Sequence, residues 1–142
     1  MAAGGGEAID QALPLTGARR LLLVGHSGGG AIASLVASRR DDVDRVVTVA
    51  GTLDHEAWTA FHGVSPLRGS LNPAAAKGLR DVPQIHFVGA DDDVVPPLVA
   101  RSYLARLGLA TKARLIVVPG YSHRCCWAEN WPELLSRVGI RR

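Results

Sequence analysis

A serine at position 27 lies in a pattern that presents nucleophiles. Residues 25–29 read Gly-His-Ser-Gly-Gly, follow the apolar run 21–24 and lead directly into helix-forming residues. We interpret the pattern as a strand, a sharp turn and a helix, with the serine hydroxyl exposed on a strained turn. Gly25 and Gly29 are expected to let the strand and the helix approach without a Cβ clash. The spacing therefore predicts a nucleophilic Ser27.

Two further polar groups follow other apolar runs of the chain. Three aspartates occupy residues 91–93, after the run 84–89, and His123 comes after the run 114–118. A serine hydroxyl becomes an effective nucleophile only when a base takes its proton and a carboxylate orients that base. Because reactive groups gather outside the carboxyl ends of parallel strands, we expect the serine, one aspartate and the histidine to meet there.

Four apolar runs and the segments between them must position these groups. The runs are continuous rather than alternating, which is typical of strands buried on both faces; they cover residues 20–25, 45–50, 84–89 and 114–118. Helices are predicted over residues 30–39, 56–61, 97–107 and 129–138. The predicted fold class is α/β, a three-layer α/β/α arrangement with a parallel sheet of about four strands in consecutive order. Residues 65–83, rich in proline and glycine, are predicted to be mostly loop with a turn through 74–79.

Length and composition fit one domain over residues 1–142, since 47% of the 142 residues are hydrophobic. Residues 1–6, rich in glycine and alanine, are expected to be frayed, and residues 7–13 to form one or two helical turns. No apolar run is long enough to span a membrane. Residues 1–6 lack the basic and apolar regions of a secretion signal, so none is expected in the given sequence. The compartment stays undetermined.

Charge and cysteine usage argue against two classes of function. The net charge of +3 comes from scattered arginines without interleaved aromatics, which is typical of a solvated surface rather than of a nucleic-acid interface. Cys125 and Cys126 are adjacent, a separation at which disulfides rarely form. With His123 they offer no second ligand pair for zinc, so no metal site is expected.

The remaining histidines and the tryptophans have ordinary structural interpretations. His26 is expected to be a packing or hydrogen-bonding neighbour of the nucleophile rather than a second base. His86, inside a strand, is predicted to be a satisfied core residue, and no partner pattern accompanies His55 or His62. Core packing is favoured over an acyl pocket for the three tryptophans, which are Trp58, Trp127 and Trp131.

Taken together, three segments resemble the α/β-hydrolase family. They are the elbow at residues 25–29, a G-x-x-D-x-x-V-P turn at residues 89–96, and the loop Pro-Gly-Tyr-Ser-His at residues 119–123. Their order of serine, acid and histidine is that of the family. The resemblance implies Ser27, His123 and Asp92 as the catalytic residues, with Asp93 as the second choice for the acid. It also implies an oxyanion and substrate-binding region at Gly28 and His26.

The resemblance implies a serine esterase that acts on short acyl chains through an acyl-enzyme, with no metal or organic cofactor. The alternatives are an acyltransferase or thioesterase on the same triad, and a catalytically silent assembly module. The matched segments belong to the carboxyl-terminal half of the family's fold, so the loop that supplies the second oxyanion N–H is expected to be missing. The strand at residues 20–25 would then have a bare edge, which predicts a homo-oligomer through that edge.

Overall fold

A computed structural model describes residues 2–108 and 111–140. Residue 1, included in the expected fraying, and the basic pair at 141–142 lie outside the described residues. The four predicted strands form one parallel sheet in the order β1-β2-β3-β4, with the bounds β1 (Leu21–His26), β2 (Val43–Val49), β3 (Gln84–Gly89) and β4 (Ala113–Val118). The predicted sheet is confirmed, including its consecutive order and parallel pairing.

Helices fill the connections between the strands, close to the predicted positions. They are α1 (Ala2–Thr16), α2 (Gly28–Ala37), α3 (His55–His62), α4 (Pro97–Leu107) and α5 (Trp127–Arg137). The turn in the long loop before β3 is a single 3-10 turn at Pro73–Ala75. It begins one residue earlier than expected because the Asn72 side chain caps it, accepting a hydrogen bond from the Ala74 N–H.

The amino-terminal helix is longer than its sequence suggests. Helix α1 begins at Ala2 and includes residues for which fraying was expected. It packs against α2, and Arg40 contacts it twice, donating to the Gly6 carbonyl at 3.3 Å and to Asp10 at 2.9 Å. Tertiary contacts of this kind stabilise helices whose own propensity is weak.

Both faces of β2 and β3 are covered, which explains their continuous apolar runs. Strand β1 departs from the expectation of burial on both faces, because its Leu22 and Val24 side chains are exposed. On one face, Val46 and Val88 pack with Tyr103 of α4 and with alanines of α2. On the other face, Val47 and Phe87 pack against α5. The arrangement has the predicted three layers. Among the described residues, no helix is both long and apolar enough to cross a membrane.

Candidate active site

Ser27 lies on the turn between β1 and α2 with a strained backbone. Its φ is 55° and its ψ is −121°, a region that costs a non-glycine residue about 1–3 kcal/mol. Neighbouring segments hold it there. Its N–H donates to the Val49 carbonyl at 2.9 Å, and its own carbonyl accepts from the N–H groups of Gly30 at 3.0 Å and Thr52 at 3.2 Å.

Of the two elbow glycines that the sequence pattern indicated, only Gly25 must lack a side chain to avoid a steric clash. A Cβ atom at Gly25 would collide with the carbonyl oxygen of Gly29, so the prediction for Gly25 is confirmed. A Cβ atom at Gly29 would meet nothing within 4 Å, so the prediction for Gly29 is wrong. The close approach involves the backbone of Gly29, whereas its own Cβ position faces open space.

His123 and Asp92 form a hydrogen-bonded pair at the carboxyl edge of the sheet. His123 Nδ1 lies 3.0 Å from Asp92 Oδ2, and the aspartate side chain is completely buried. The other carboxylate oxygen, Oδ1, accepts from the N–H groups of Val94 at 2.9 Å and Val95 at 2.7 Å. Because an ionised carboxylate only accepts hydrogen bonds, Nδ1 is the protonated nitrogen, and Nε2 of the neutral ring is available as a base.

The structure distinguishes among the three neighbouring aspartates. Asp92 alone of the three is buried, whereas Asp91 and Asp93 are exposed. The N–H of Asp91 donates to the Tyr121 carbonyl at 3.0 Å. This bond ties residues 89–96, the acid turn, to residues 119–123, the histidine loop. The residue that meets His123 is therefore Asp92, the first choice, and not Asp93.

The histidine loop is anchored on both sides. A Cβ atom at Gly89 would collide with the carbonyl oxygen of Tyr121, so the end of β3 and this loop approach as closely as a glycine allows. Trp127 Nε1 donates to the Ser122 carbonyl at 3.0 Å, and the Tyr121 and Trp127 rings lie edge to face with centroids 4.8 Å apart. These contacts fix the backbone that carries His123.

His26 is a packing and hydrogen-bonding residue, but the partner that the structure gives it is the histidine loop, which the sequence did not predict. Its Nε2 lies 3.1 Å from the His123 carbonyl oxygen, and the centroids of the two rings are 5.2 Å apart.

Within the described part of the chain, no hydrogen bond joins the Ser27 hydroxyl to His123. Gly28 is the first residue of α2, so its N–H is among the first-turn donors that have no partner inside the helix.

Sequence reasoning missed two side chains that contact the acid turn. Trp58 Nε1 and His62 Nε2 both bond the Val94 carbonyl oxygen, at 2.9 Å and 2.6 Å. Trp58 was expected to be a core residue and is instead half-buried; His62 was expected to have no partner. Their separation by four residues, which places them on one face of α3, was the available signal.

The other aromatic predictions are resolved by packing. His86 is a satisfied core residue, as predicted: its Nδ1 bonds Thr48 at 2.6 Å and its Nε2 bonds Gln84 at 2.8 Å. Burial lowers the pKa of His86 to about 3. Trp127 is buried in the core as predicted. Trp131 is partly buried and packs against the same core cluster.

An apolar cavity of about 430 Å³ lies between β1 and α5, beside His26. The tryptophans of α5 contribute to its wall, which is lined by Val24, Gly25, His26, Val49, Arg124, Trp127, Ala128 and Trp131. In the turn into α5, Cys125 and Cys126 are paired as a disulfide, which the expectation for adjacent cysteines did not include.

No family model matches the chain, and no curated protein sequence matches it. Solved structures do match. An α/β-hydrolase enzyme from a sediment metagenome of the lagoon of Mar Chica, Morocco, is 21% identical with a TM-score of 0.70, over 96% of this chain and 67% of that one. An esterase of Pyrococcus furiosus is 15% identical with a TM-score of 0.73, over 97% and 58%. A monoacylglycerol lipase of Paleococcus ferrophilus is 17% identical with a TM-score of 0.65, over 96% and 74%.

These matches show the fold. The chain has the α/β-hydrolase fold along nearly its whole length, as its motifs predicted. It spans only part of each of these matched structures, down to 21% of a puromycin hydrolase.

Proposed function

We propose that this chain carries the catalytic triad of a serine hydrolase that cleaves carboxylic esters with short acyl chains. One observation carries the proposal: a buried carboxylate holds His123 through Nδ1 at 3.0 Å, at the same sheet edge as the strained Ser27. Backbone strain at a polar side chain is typical of functional sites. The likeness to esterases and lipases supports hydrolysis as the reaction class.

In the proposed reaction, the Ser27 Oγ attacks the ester carbonyl carbon while His123 Nε2 takes the hydroxyl proton. The tetrahedral intermediate then collapses, the bond to the alcohol oxygen breaks, and His123 delivers its proton to that oxygen. Water attacks the resulting acyl-enzyme with His123 again as the base. This step releases the acid and restores the serine. Asp92 orients the ring and stabilises its charged form throughout.

The oxyanion of the intermediate needs hydrogen-bond donors from the elbow. The Gly28 N–H at the start of α2 is the donor that we assign, and the positive end of the helix dipole favours the same charge. Removal of one donor from such a site typically costs about 100- to 1,000-fold in turnover.

Hydrolysis of p-nitrophenyl acetate, butyrate and octanoate by purified protein tests the proposal. We expect the acetate and butyrate esters to be cleaved faster than the octanoate, and Ser27→Ala to abolish the activity. Ser65→Ala, which changes an exposed serine in a loop, is the matched control and should retain the wild-type rate. Equal rates for wild type and Ser27→Ala would contradict the proposal and favour the silent assembly module.

A further inference from the structure

Two side chains of helix α3 form hydrogen bonds to the same carbonyl oxygen of the acid turn, that of Val94. The Val94 oxygen accepts hydrogen bonds from Trp58 Nε1 at 2.9 Å and from His62 Nε2 at 2.6 Å. A carbonyl oxygen has two lone pairs, so these two groups fill its capacity. Because a carbonyl only accepts, His62 carries a proton on Nε2 whenever this contact is made. The two rings also pack on one another, with centroids 5.0 Å apart.

The same residue of the acid turn supplies a hydrogen bond to the buried carboxylate. The N–H of Val94 donates to Asp92 Oδ1 at 2.9 Å, beside the N–H of Val95 at 2.7 Å. Oδ1 is thereby occupied, and Oδ2 is left to face His123 Nδ1. The carbonyl of Val94 thus contacts α3, and its N–H contacts Asp92. Residue 94 therefore links the helix to the carboxylate.

Helix α3 is itself held at its other end. The buried Asp54 caps its first turn and accepts a hydrogen bond from Ser102 of α4 at 2.6 Å. Arg106, also on α4, lies 3.4 Å from the same carboxylate. Since α4 begins at Pro97, just after the acid turn, α3 is fixed both to the turn at Val94 and to the helix that follows it. A helix fixed in this way holds its carboxyl-terminal side chains in a constant position.

We propose that Trp58 and His62 are positioning residues for the triad acid. By holding the Val94 carbonyl, they keep the Val94 and Val95 N–H groups on Asp92 Oδ1, so that Oδ2 stays aimed at His123. This inference rests on the proposed function, since Asp92 and His123 act there as acid and base. Neither Trp58 nor His62 is assigned a contact with the substrate.

Substitutions that remove each donor separately test the inference. Trp58→Phe keeps an aromatic ring and removes the N–H, and His62→Leu removes the second donor. His62→Gln keeps an N–H donor and should restore the contact. Ala60→Gln, at an exposed position of the same helix, is the matched control.

The first readout is amide hydrogen exchange at Val94 and Val95, which does not depend on catalysis. We expect each donor-removing variant to increase exchange there by about 3- to 10-fold, the range that one net hydrogen bond gives. His62→Gln and Ala60→Gln should exchange like the wild type. Unchanged exchange in Trp58→Phe and His62→Leu would overturn the inference.

The second readout is ester hydrolysis by the same proteins. We expect kcat to fall about 10-fold in the double variant Trp58→Phe/His62→Leu while KM stays within about twofold, since the acid is displaced and the substrate contacts are not. A faster amide exchange with unchanged kcat would overturn the inference while the proposed function stands. If wild type shows no activity dependent on Ser27, the proposed function fails, and the exchange experiment alone decides whether the two side chains position Asp92.

Discussion

The strain at Ser27 is local, and the residues that permit it are identifiable. The positive φ of Ser27 is held by three backbone hydrogen bonds, which join it to Val49, Thr52 and Gly30. The elbow also needs a residue without a side chain at position 25, because the backbone of Gly29 lies where a Cβ atom would be. The two glycines therefore differ in what they tolerate, although the sequence pattern treats them alike.

Alanine at each glycine should have opposite effects. Gly25→Ala is expected to lower the free energy of unfolding by about 1–3 kcal/mol through overpacking. Gly29→Ala should raise it by about 0.5–1 kcal/mol, because alanine is the better helix former and has open space there. Urea denaturation of the three proteins measures both. Equal destabilisation by the two substitutions would refute this account of the elbow.

Burial of His86 makes the free energy of unfolding depend on pH. The ordinary pKa of histidine is 6.5, whereas burial lowers the pKa of His86 to about 3 in the folded chain. Between these values the unfolded chain binds more protons, so the free energy of unfolding falls as the pH falls through this window. His86 alone should remove about 2 kcal/mol between pH 7 and pH 5. Burial also lowers the pKa of His55, which adds to the same trend.

Chemical denaturation at several pH values checks this dependence. His86→Gln should be less stable at pH 7, because it disturbs the contacts with Thr48 and Gln84, but its stability should fall less steeply towards pH 5. Arg101→Gln, at an exposed position of α4, should keep the wild-type slope. A His86→Gln protein with the full wild-type slope would show that His86 is not the residue responsible.

At the scale of elements, α3 depends on a single buried carboxylate. Asp54 accepts hydrogen bonds from the N–H groups of Glu56 at 3.2 Å and Ala57 at 3.4 Å, and from Asn72 at 3.1 Å and Ser102 at 2.6 Å. Burial acts to raise the pKa of Asp54, but hydrogen bonds led by those of Ser102 and Asn72 hold it below its ordinary value. The carboxylate therefore connects α3, α4 and the loop before the 3-10 turn.

Removing this carboxylate should loosen the whole helix. Asp54→Ala is expected to cost about 2–3 kcal/mol of stability, from a lost helix cap and buried hydrogen-bond donors left without a partner. Glu56→Gln changes a carboxylate that is 74% exposed on the same helix, and it should cost less than about 0.5 kcal/mol. Thermal unfolding of the two variants compares them. A loss of similar size in both would indicate that burial of Asp54 confers no special role.

Elements that depend on local pattern could be predicted from the sequence, and contacts that depend on three-dimensional approach could not. The strands were predictable because residues buried on both faces form continuous apolar runs, as in β3. The longer α1 was not, because Arg40, distant in the chain, helps to hold it. Residue spacing identified the acid turn, and family resemblance favoured Asp92 over Asp93 as the acid. The contact of Trp58 with Val94 became visible only in the structure. Which side chain is buried, and what it meets, depends on how α3 lies against that turn.

At the scale of the whole molecule, β1 forms one edge of the sheet. Among the described strands it pairs with β2 alone, and its side chains Leu22 and Val24 are 46% and 49% exposed. A strand edge with unpaired backbone groups and apolar side chains is a template for pairing with another chain. Self-association of two copies through β1 stays a prediction.

A lysine on this edge should abolish that association. We expect the wild type to sediment as a dimer or larger species, and Val24→Lys to sediment as a monomer, because an exposed charge disfavours edge pairing. Lysine at Leu98, an exposed apolar residue of α4 on another surface, serves as the control and should leave the assembly unchanged. A wild-type protein that is monomeric at all concentrations in analytical ultracentrifugation would contradict the prediction.

Covalent labelling with a fluorophosphonate, followed by mass mapping of the adduct, measures whether His123 and Asp92 activate Ser27. We expect one adduct per chain, on Ser27, with labelling at least about 100-fold slower in His123→Ala and in Asp92→Asn, since a serine without its oriented base is a poor nucleophile. No adduct on Ser27, or labelling at the same rate in all three proteins, would contradict this activation.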